Sequence, residues 1–151
     1  MKTNTAEIQI SVSGSASDAE RAAIIGGLIA YNDTNATPAR HEELAIVARD
    51  GDAIVGGLFG NTNWSWLFIR QFWIEDGFRG SGLGGSLLHA AEAEAVRRGC
   101  SAAHCDTFDF QALPFYQKHG YEVFGQLDDY PPGHTRFFLR KHDLRRAEEE
   151  V

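Results

Sequence analysis

One segment of the chain is built to hold an anion. Arg79-Gly80-Ser81-Gly82-Leu83-Gly84-Gly85 combines closely spaced glycines with a permanent cation, and it stands where a strand-like pattern gives way to a helical one. Glycine lets the backbone come close to a ligand and take positive φ. The first amides of a helix have no partner inside the helix, and the helix dipole is positive at that end. Phosphate groups bind such a terminus readily, and Arg79 adds charge beside it. The plain alternative is a glycine-rich turn that holds nothing. Further along lie a phenol, Tyr116, and three side chains able to accept a proton, His104, Asp106 and His134.

Known phosphate-binding patterns can be tried on this segment. A Walker A loop is excluded, because no Lys-Ser or Lys-Thr follows the glycines. The dinucleotide fingerprint fits literally: Gly80, Gly82 and Gly85 are G-x-G-x-x-G, and Asp106 follows about 20 residues on, at a strand end. That fold needs several more strand–helix–strand units, and too little chain follows. Glu75 and Asp76 also set carboxylates beside the turn.

A third pattern covers more of the chain. The run Phe72-Trp73-Ile74-Glu75-Asp76-Gly77-Phe78-Arg79-Gly80-Ser81-Gly82-Leu83-Gly84 is a hydrophobic strand followed by Arg-x-x-Gly-x-Gly opening a helix. Downstream, Ala112-Leu113-Pro114-Phe115-Tyr116-Gln117-Lys118-His119-Gly120-Tyr121 is a short helix with an aromatic pair, a Lys and Gly-aromatic. Together, at this spacing, the two resemble the central motifs of the GNAT N-acetyltransferases. The resemblance covers nearly the whole chain and is clearest over residues 44–140.

The resemblance implies an α/β fold with a mixed central sheet, flanked by helices and splayed between its two central parallel strands, here 64–74 and 102–107. It implies acetyl-CoA as co-substrate and no metal. Backbone groups of Trp73 and Ile74 would pair with the pantetheine arm as a missing strand would. Amides of Arg79, Gly80, Ser81, Gly82, Leu83 and Gly84 would cradle the pyrophosphate. Relatives often carry a basic residue where this chain has Ser81, so one charge contact is missing. They often open the second motif with Asn; here it is Asp109, which can cap the short helix. Tyr116, as the Tyr of the aromatic pair, would protonate the departing thiolate; the plain alternative is a packed aromatic.

The implied reaction is attack of a neutral amine on a thioester carbonyl. It needs a route for the amine proton, a donor for the developing oxyanion, an acid for the thiolate, and both substrates held together. The base stays open among His104, Asp106, His134 and a water relay. The acceptor is expected to be a small-molecule primary amine, and a protein amine is the lesser alternative. The regions that build the acceptor pocket in such proteins supply Tyr31, Asn32, Phe59, Trp64, Trp66, Phe68, Tyr130 and His134, a set suited to a flat or apolar amine. Asp128-Asp129 offers charge for a cationic one. Two rival classes are a non-catalytic acyl-CoA-binding module on the same fold and an NAD-binding fragment.

These residues need elements to position them. Residues 8–12 alternate as a strand. Ser17-Asp18-Ala19-Glu20 is a capping box that opens a helix with Ile24, Ile25, Leu28 and Ile29 on one face. A loop is expected over 32–41, strands over 44–49 and 53–59, a turn at 60–63 and a long strand over 64–74. A helix over 82–98 carries Leu83, Leu87, Ala91 and Ala95 on one face. Then come a strand over 102–107, a helix over 112–119, strands over 122–127 and 135–140, and a charged tail, 144–151, that frays. Phe137, Phe138 and Leu139 leave an apolar face that suits a homodimer.

Composition agrees with one domain spanning 1–151. Of the 151 residues, 43% are hydrophobic and 23% charged, which is globular composition. The net charge of −7 argues against nucleic acid or an anionic membrane as partner. The N-terminal residues Met1 to Glu7 lack the apolar core of a secretion signal. Cys100 and Cys105 make no disulfide framework and, with His104, too few ligands for zinc, so they read as buried thiols. A reducing cytoplasm is the expected setting.

Overall fold

Ser17 opens the first helix as the capping box predicts. In the computed structural model, which describes residues 7–145, its hydroxyl accepts from the Glu20 amide at 3.1 Å, and Glu20 returns a carboxylate oxygen to the Ser17 amide at 2.8 Å. Helix α1 spans Asp18–Asn35. It runs into the expected loop because Thr34 and Asn35 bond back to the carbonyls of Ala30 and Tyr31. Residues 8–12 form no strand. Alternation alone does not make one: a strand needs a neighbour for its amides and carbonyls, and the sheet is complete without this segment. Residues 1–6, and with them most of the stretch expected to lack a secretion signal, lie outside the described residues. The chain divides into two units, Met1–Pro38 and Ala39–Val151; the sheet and all that follows belong to the second.

That unit is a six-stranded mixed sheet in the order β1-β2-β3-β4-β6-β5. Strands β1 (Glu42–Asp50), β2 (Ala53–Asn63) and β3 (Trp66–Ile74) form an antiparallel meander. Gly51 and Asp52 make the first turn. The second turn is not at 60–63, which continue β2. It falls on Trp64 and Ser65, with φ of 46° and 62°. Positive φ at both central residues is what a two-residue hairpin demands. The sequence disguises this turn because neither residue is glycine.

A short 3₁₀ turn (Asp76–Phe78) leads to helix α2 (Leu83–Arg97). Then follow β4 (Ala102–Phe108), α3 (Leu113–Lys118), β5 (Glu122–Asp128) and β6 (Thr135–Lys141). Strand β4 lies parallel to β3 and antiparallel to β6. Helix α2 buries Leu87, Leu88, Ala91 and Ala95 against Leu44, Leu58, Leu67 and Ile69 of the first three strands. Ala91 and Ala95, both fully buried, let the helix approach closely.

Two polar fastenings fix its height. Arg98, just past the helix, bonds Glu94 and reaches the carbonyls of Glu42 and Glu43 and the Thr62 hydroxyl. Lys141 of β6 bonds both oxygens of Glu92, at 3.0 and 2.9 Å. The second pair is largely out of water, so removing one partner would strand the other charge. Leu144, expected to fray with the tail, is buried in the core, and its amide bonds the Ser101 carbonyl. Residues 146–151 lie outside the described residues. Cys100 and Cys105 are buried and unpaired, as expected.

Strand β3 carries an extra residue. Ile69 faces Gly60 and Gln71 faces Phe59, so Arg70 has no opposite number. Such a bulge bends its strand. It also draws the two strands so close that a Cβ on Gly60 would overlap the Phe68 carbonyl oxygen. Gly60→Ala is therefore expected to cost about 3 kcal/mol or more by forcing backbone apart. Gly77→Ala, with nothing within 4 Å of the added carbon, is the control. Urea unfolding of the two variants checks this, and equal midpoints would contradict it.

Candidate active site

The two central strands part almost as soon as they meet. Trp66, Leu67 and Phe68 pair with Ala102, Ala103 and His104, and the pairing stops there. Residues 69–74 of β3 have no partner on β4, and residues 105–108 of β4 keep β6 as their one paired neighbour. The predicted splay is present, between strands running 66–74 and 102–108. It opens a cleft of about 1300 Å³, enough for two substrates together.

Side-chain alternation divides the cleft into two sides. Cys105 and Thr107 of β4 are buried on the α2 face, while His104, Asp106 and Phe108 project to the other. Both sets line the opening, since Thr107 and Tyr116 appear in its wall together with Asp106 and Phe108. The cleft therefore passes through the sheet from one face to the other.

On the α2 side the glycine turn stands at the mouth. Gly82 is the N-cap of α2 in the left-handed region, φ 87°, which disfavours any side chain there. The first intrahelical bond runs from Ser86 to Gly82, so the amides of Leu83, Gly84 and Gly85 precede it and lack a helical partner. Trp73, Ile74, Arg79, Gly80, Gly82 and Gly84 all line the cleft, joined by Gly85, Ser86, His89, Lys118 and His119. Ser81 and Leu83 do not: Ser81 donates to the Phe78 carbonyl at 2.5 Å, and Leu83 packs on the core. Arg79 is less available than its charge suggests. Its Nε donates to the Ile74 carbonyl at 3.0 Å, and its guanidinium pairs with Asp76 at 2.9 Å.

Tyr116 stands in the wall between the two sides. Phe72, Phe115 and Tyr121 surround its ring. Burial, then the nearby Cys105 and Asp106, push its phenol well above the ordinary value. The hydroxyl therefore keeps its proton, and the same burial makes it a weaker acid than a free phenol. Burial also raises the Cys105 thiol strongly, which leaves it protonated and unreactive.

The three proton-accepting residues separate in space. His104 stacks on Phe68 at 4.6 Å and meets Trp66 edge-on, and burial lowers its pKa. It is not in the cleft wall; Asp106 is. Asp106 pairs with Arg136 through one carboxylate oxygen: Arg136 Nε donates to it at 2.9 Å, and a terminal guanidinium nitrogen lies 2.8 Å from it. This is the residue a dinucleotide reading would set on a ribose, and its partner is instead a strand neighbour. Phe108, Phe110, Tyr130 and Arg136 complete the far side of the cleft with Phe68 and Arg70. Of the other expected acceptor residues, Phe59 and Trp64 are half-exposed and, with Trp66 and His134, are not in the cleft wall. Tyr31 and Asn32 belong to the Met1–Pro38 unit.

Asp109 corrects an expectation. It neither caps α3 nor reaches the cleft. The helix starts from Ala112 without a capping side chain, and the Thr107 hydroxyl accepts the Ala112 amide. Asp109 instead clasps the start of β6: one oxygen meets His134 Nδ1 at 2.8 Å and the other accepts the Thr135 amide at 2.9 Å. A cap argument looks only at neighbours in sequence, and these partners lie on a distant strand. Thr107, Gln111 and Arg136 were missed for the same reason. The paired rings at Phe108 and Phe110 were the one visible signal.

The clasp has a pH signature. Partial burial alone would raise the Asp109 carboxyl, but the bonds from His134 and the Thr135 amide outweigh it and hold it below its ordinary value. A lowered folded pKa gives stability that is complete above about pH 4 and lost as pH falls through the lower folded value. Asp109→Asn should show a shallower loss of stability below that pH. Urea midpoints measured across the acid range decide it; parallel curves for variant and wild type would count against the clasp.

Comparison with known proteins gives this geometry its family. The model of the acetyltransferase (GNAT) family matches residues 18–121. A Blasticidin-S acetyltransferase from Streptomyces morookaense is 44% identical over 89 residues, 58% of this chain, and the chain spans 65% of that relative's length. Acetyltransferase Atu2258 from Agrobacterium fabrum is 34% identical over 82% of this chain and 90% of its own. The crystal structure of an acetyltransferase from Bacillus cereus superposes with a TM-score of 0.79 at 32% identity, covering 87% of this chain and 97% of that one. With the splayed strands, the glycine turn and the Tyr-bearing helix in one cleft, the chain belongs to the GNAT acetyltransferase family.

Proposed function

We propose that the protein transfers the acetyl group of acetyl-CoA to the primary amine of a small molecule, with both substrates held in the one cleft. The observation that carries this reading is the splay itself. Residues 69–74 have no β4 partner, so the strand edge along the cleft has backbone groups to offer a ligand, apart from the Ile74 carbonyl, which already accepts from Arg79 Nε. The amide-bearing arm of acetyl-CoA suits that edge, with the backbone at Trp73 and Ile74 beside it. Its pyrophosphate suits the turn from Arg79 to Gly84, through backbone amides more than through Arg79, whose charge Asp76 already offsets. The relatives' names, acetyltransferases of which one acts on blasticidin S, support the acetyl donor and a small acceptor.

The chain's residues then have separable tasks. Backbone N–H groups of β3 beyond Phe68 stabilise the negative oxygen that forms as the amine nitrogen bonds to the thioester carbonyl. The C–S bond breaks, and the Tyr116 hydroxyl supplies a proton to the departing thiolate. Of the three candidate bases, Asp106 is the one in the cleft wall, so it and water are the route for the amine proton. The walls hold the two reactants together, which by itself lowers the barrier substantially.

Two variants test this. Gly82→Asp puts a side chain and a negative charge where the pyrophosphate would sit, at a positive φ. It should abolish the rise in melting temperature that acetyl-CoA gives the wild type. Tyr116→Phe keeps the ring and its packing and should leave that rise intact, while kcat and kcat/KM fall together by roughly 10²-fold or more. Turnover within a few-fold of wild type, with chemistry rate-limiting, would remove Tyr116 from the mechanism. Stabilisation by acetyl-CoA with no turnover of any amine would favour a non-catalytic acyl-CoA-binding module.

A further inference from the structure

The wall of the cleft away from α2 is made of rings in register. Phe108 stacks on Phe110, centroids 5.4 Å apart and planes 5° from parallel. It also stacks on Tyr130, at 5.8 Å and 8°. These residues come from the end of β4, the β4–α3 connection and the β5–β6 connection, so only the fold aligns them. Phe110 and Tyr130 remain 56% and 47% exposed. Exposed aromatic surface gathered in a cleft is surface kept for a ligand, and an offset stack of parallel rings is extended most favourably by another flat ring.

The charges beside the rings are fixed as well. Arg136 lies over Phe108, Tyr130 and Phe138, with its guanidinium carbon 5.0–5.6 Å from their centroids. It is held there by one oxygen of Asp106, and the other carboxylate oxygen accepts no hydrogen bond among the described residues. Arg70 lines the same side, over Phe68 and against Asn61. This part of the wall thus presents two guanidiniums and one carboxylate. That balance offers a hydrogen-bond acceptor to a single amine and repels a molecule carrying several positive charges.

We propose that the acceptor is a small amine on a flat aromatic or heteroaromatic body, its ring laid against the Phe110–Phe108–Tyr130 stack and its N–H met by the free oxygen of Asp106, and not a polyamine or aminoglycoside-like polycation. This rests on the acetyl-transfer reading and narrows its substrate class. Phe110 and Tyr130 set specificity, and Asp106 positions the amine under the hold of Arg136.

The test is acetylation of matched amines, read as released thiol: 2-phenylethylamine, 2-cyclohexylethylamine, spermidine and kanamycin. The phenyl and cyclohexyl compounds differ in flatness and π character at nearly the same size. The expected kcat/KM favours the phenyl compound over the cyclohexyl one by about fivefold, with spermidine and kanamycin poorer than either. The double variant Phe110→Leu, Tyr130→Leu, changed at exposed positions, should lose the phenyl preference through KM while acetyl-CoA still raises its melting temperature. Equal turnover of the phenyl and cyclohexyl compounds, retention of the preference in the double variant, or faster turnover of either polycation overturns the proposal and leaves acetyl transfer standing. Thiol release with none of these four amines also overturns the proposal, whereas acetyl transfer itself falls only if no amine of a wider panel releases thiol.

Discussion

Three residue pairs hold β3 to β4, and the cleft exists because there are no more. A parallel pair that continued would close the sheet and satisfy its own backbone. The bulge at Arg70 ends it: one extra residue bends β3, and the Gly60 backbone lies against Phe68 to accommodate the bend. On its other edge, β4 stays paired with β6 over residues 103–108, which holds it in place where β3 leaves it. The sheet is continuous at the Trp66 end and open at the Ile74 end. The open end exposes the backbone groups that a ligand carrying its own amides can satisfy.

An opening in a sheet is a liability unless something fixes its width. Helix α2 does so, since it is fastened to both halves. Arg98 ties its C-terminal end to β1 and β2, and Glu92 ties its middle to Lys141 on β6. Close packing through Ala91 and Ala95 leaves the helix little room to shift. Its N-terminal end, with Gly82 at positive φ, is thereby held at the mouth of the cleft. The glycine turn at the cleft mouth and the splayed edge are two consequences of one rigid arrangement.

Because the opening passes through the sheet, strand alternation assigns its two sides different chemistry. Odd-numbered positions of β4 face α2, with Cys105 near Tyr116. Even-numbered positions face away and bring Asp106 and Phe108 to the rings and to Arg136. The reacting atoms of an acyl transfer would meet at the plane of the sheet, where Tyr116 and Asp106 both reach the wall. There a phenol kept protonated by burial lies near a carboxylate held by Arg136.

Local chemistry determined much of this protein in advance. The capping box at Ser17, the apolar face of α2, the left-handed glycine turn and the Phe115-Tyr116 pair are readable because each depends on residues within a few positions of one another. The alternating stretch 8–12 misled for the converse reason: periodicity describes a face, and only a neighbouring strand can use it. The same limit hid the Trp64-Ser65 turn, the Asp109 clasp on Thr135, the pairing of Asp106 with Arg136 and the ring stack joining Phe108, Phe110 and Tyr130. Those contacts join residues far apart in the chain, and the sheet order and register that bring them together are properties of the whole packed unit. Sequence spacing therefore determined the helices and the glycine turn, while tertiary packing decided which side chains line the far wall of the cleft.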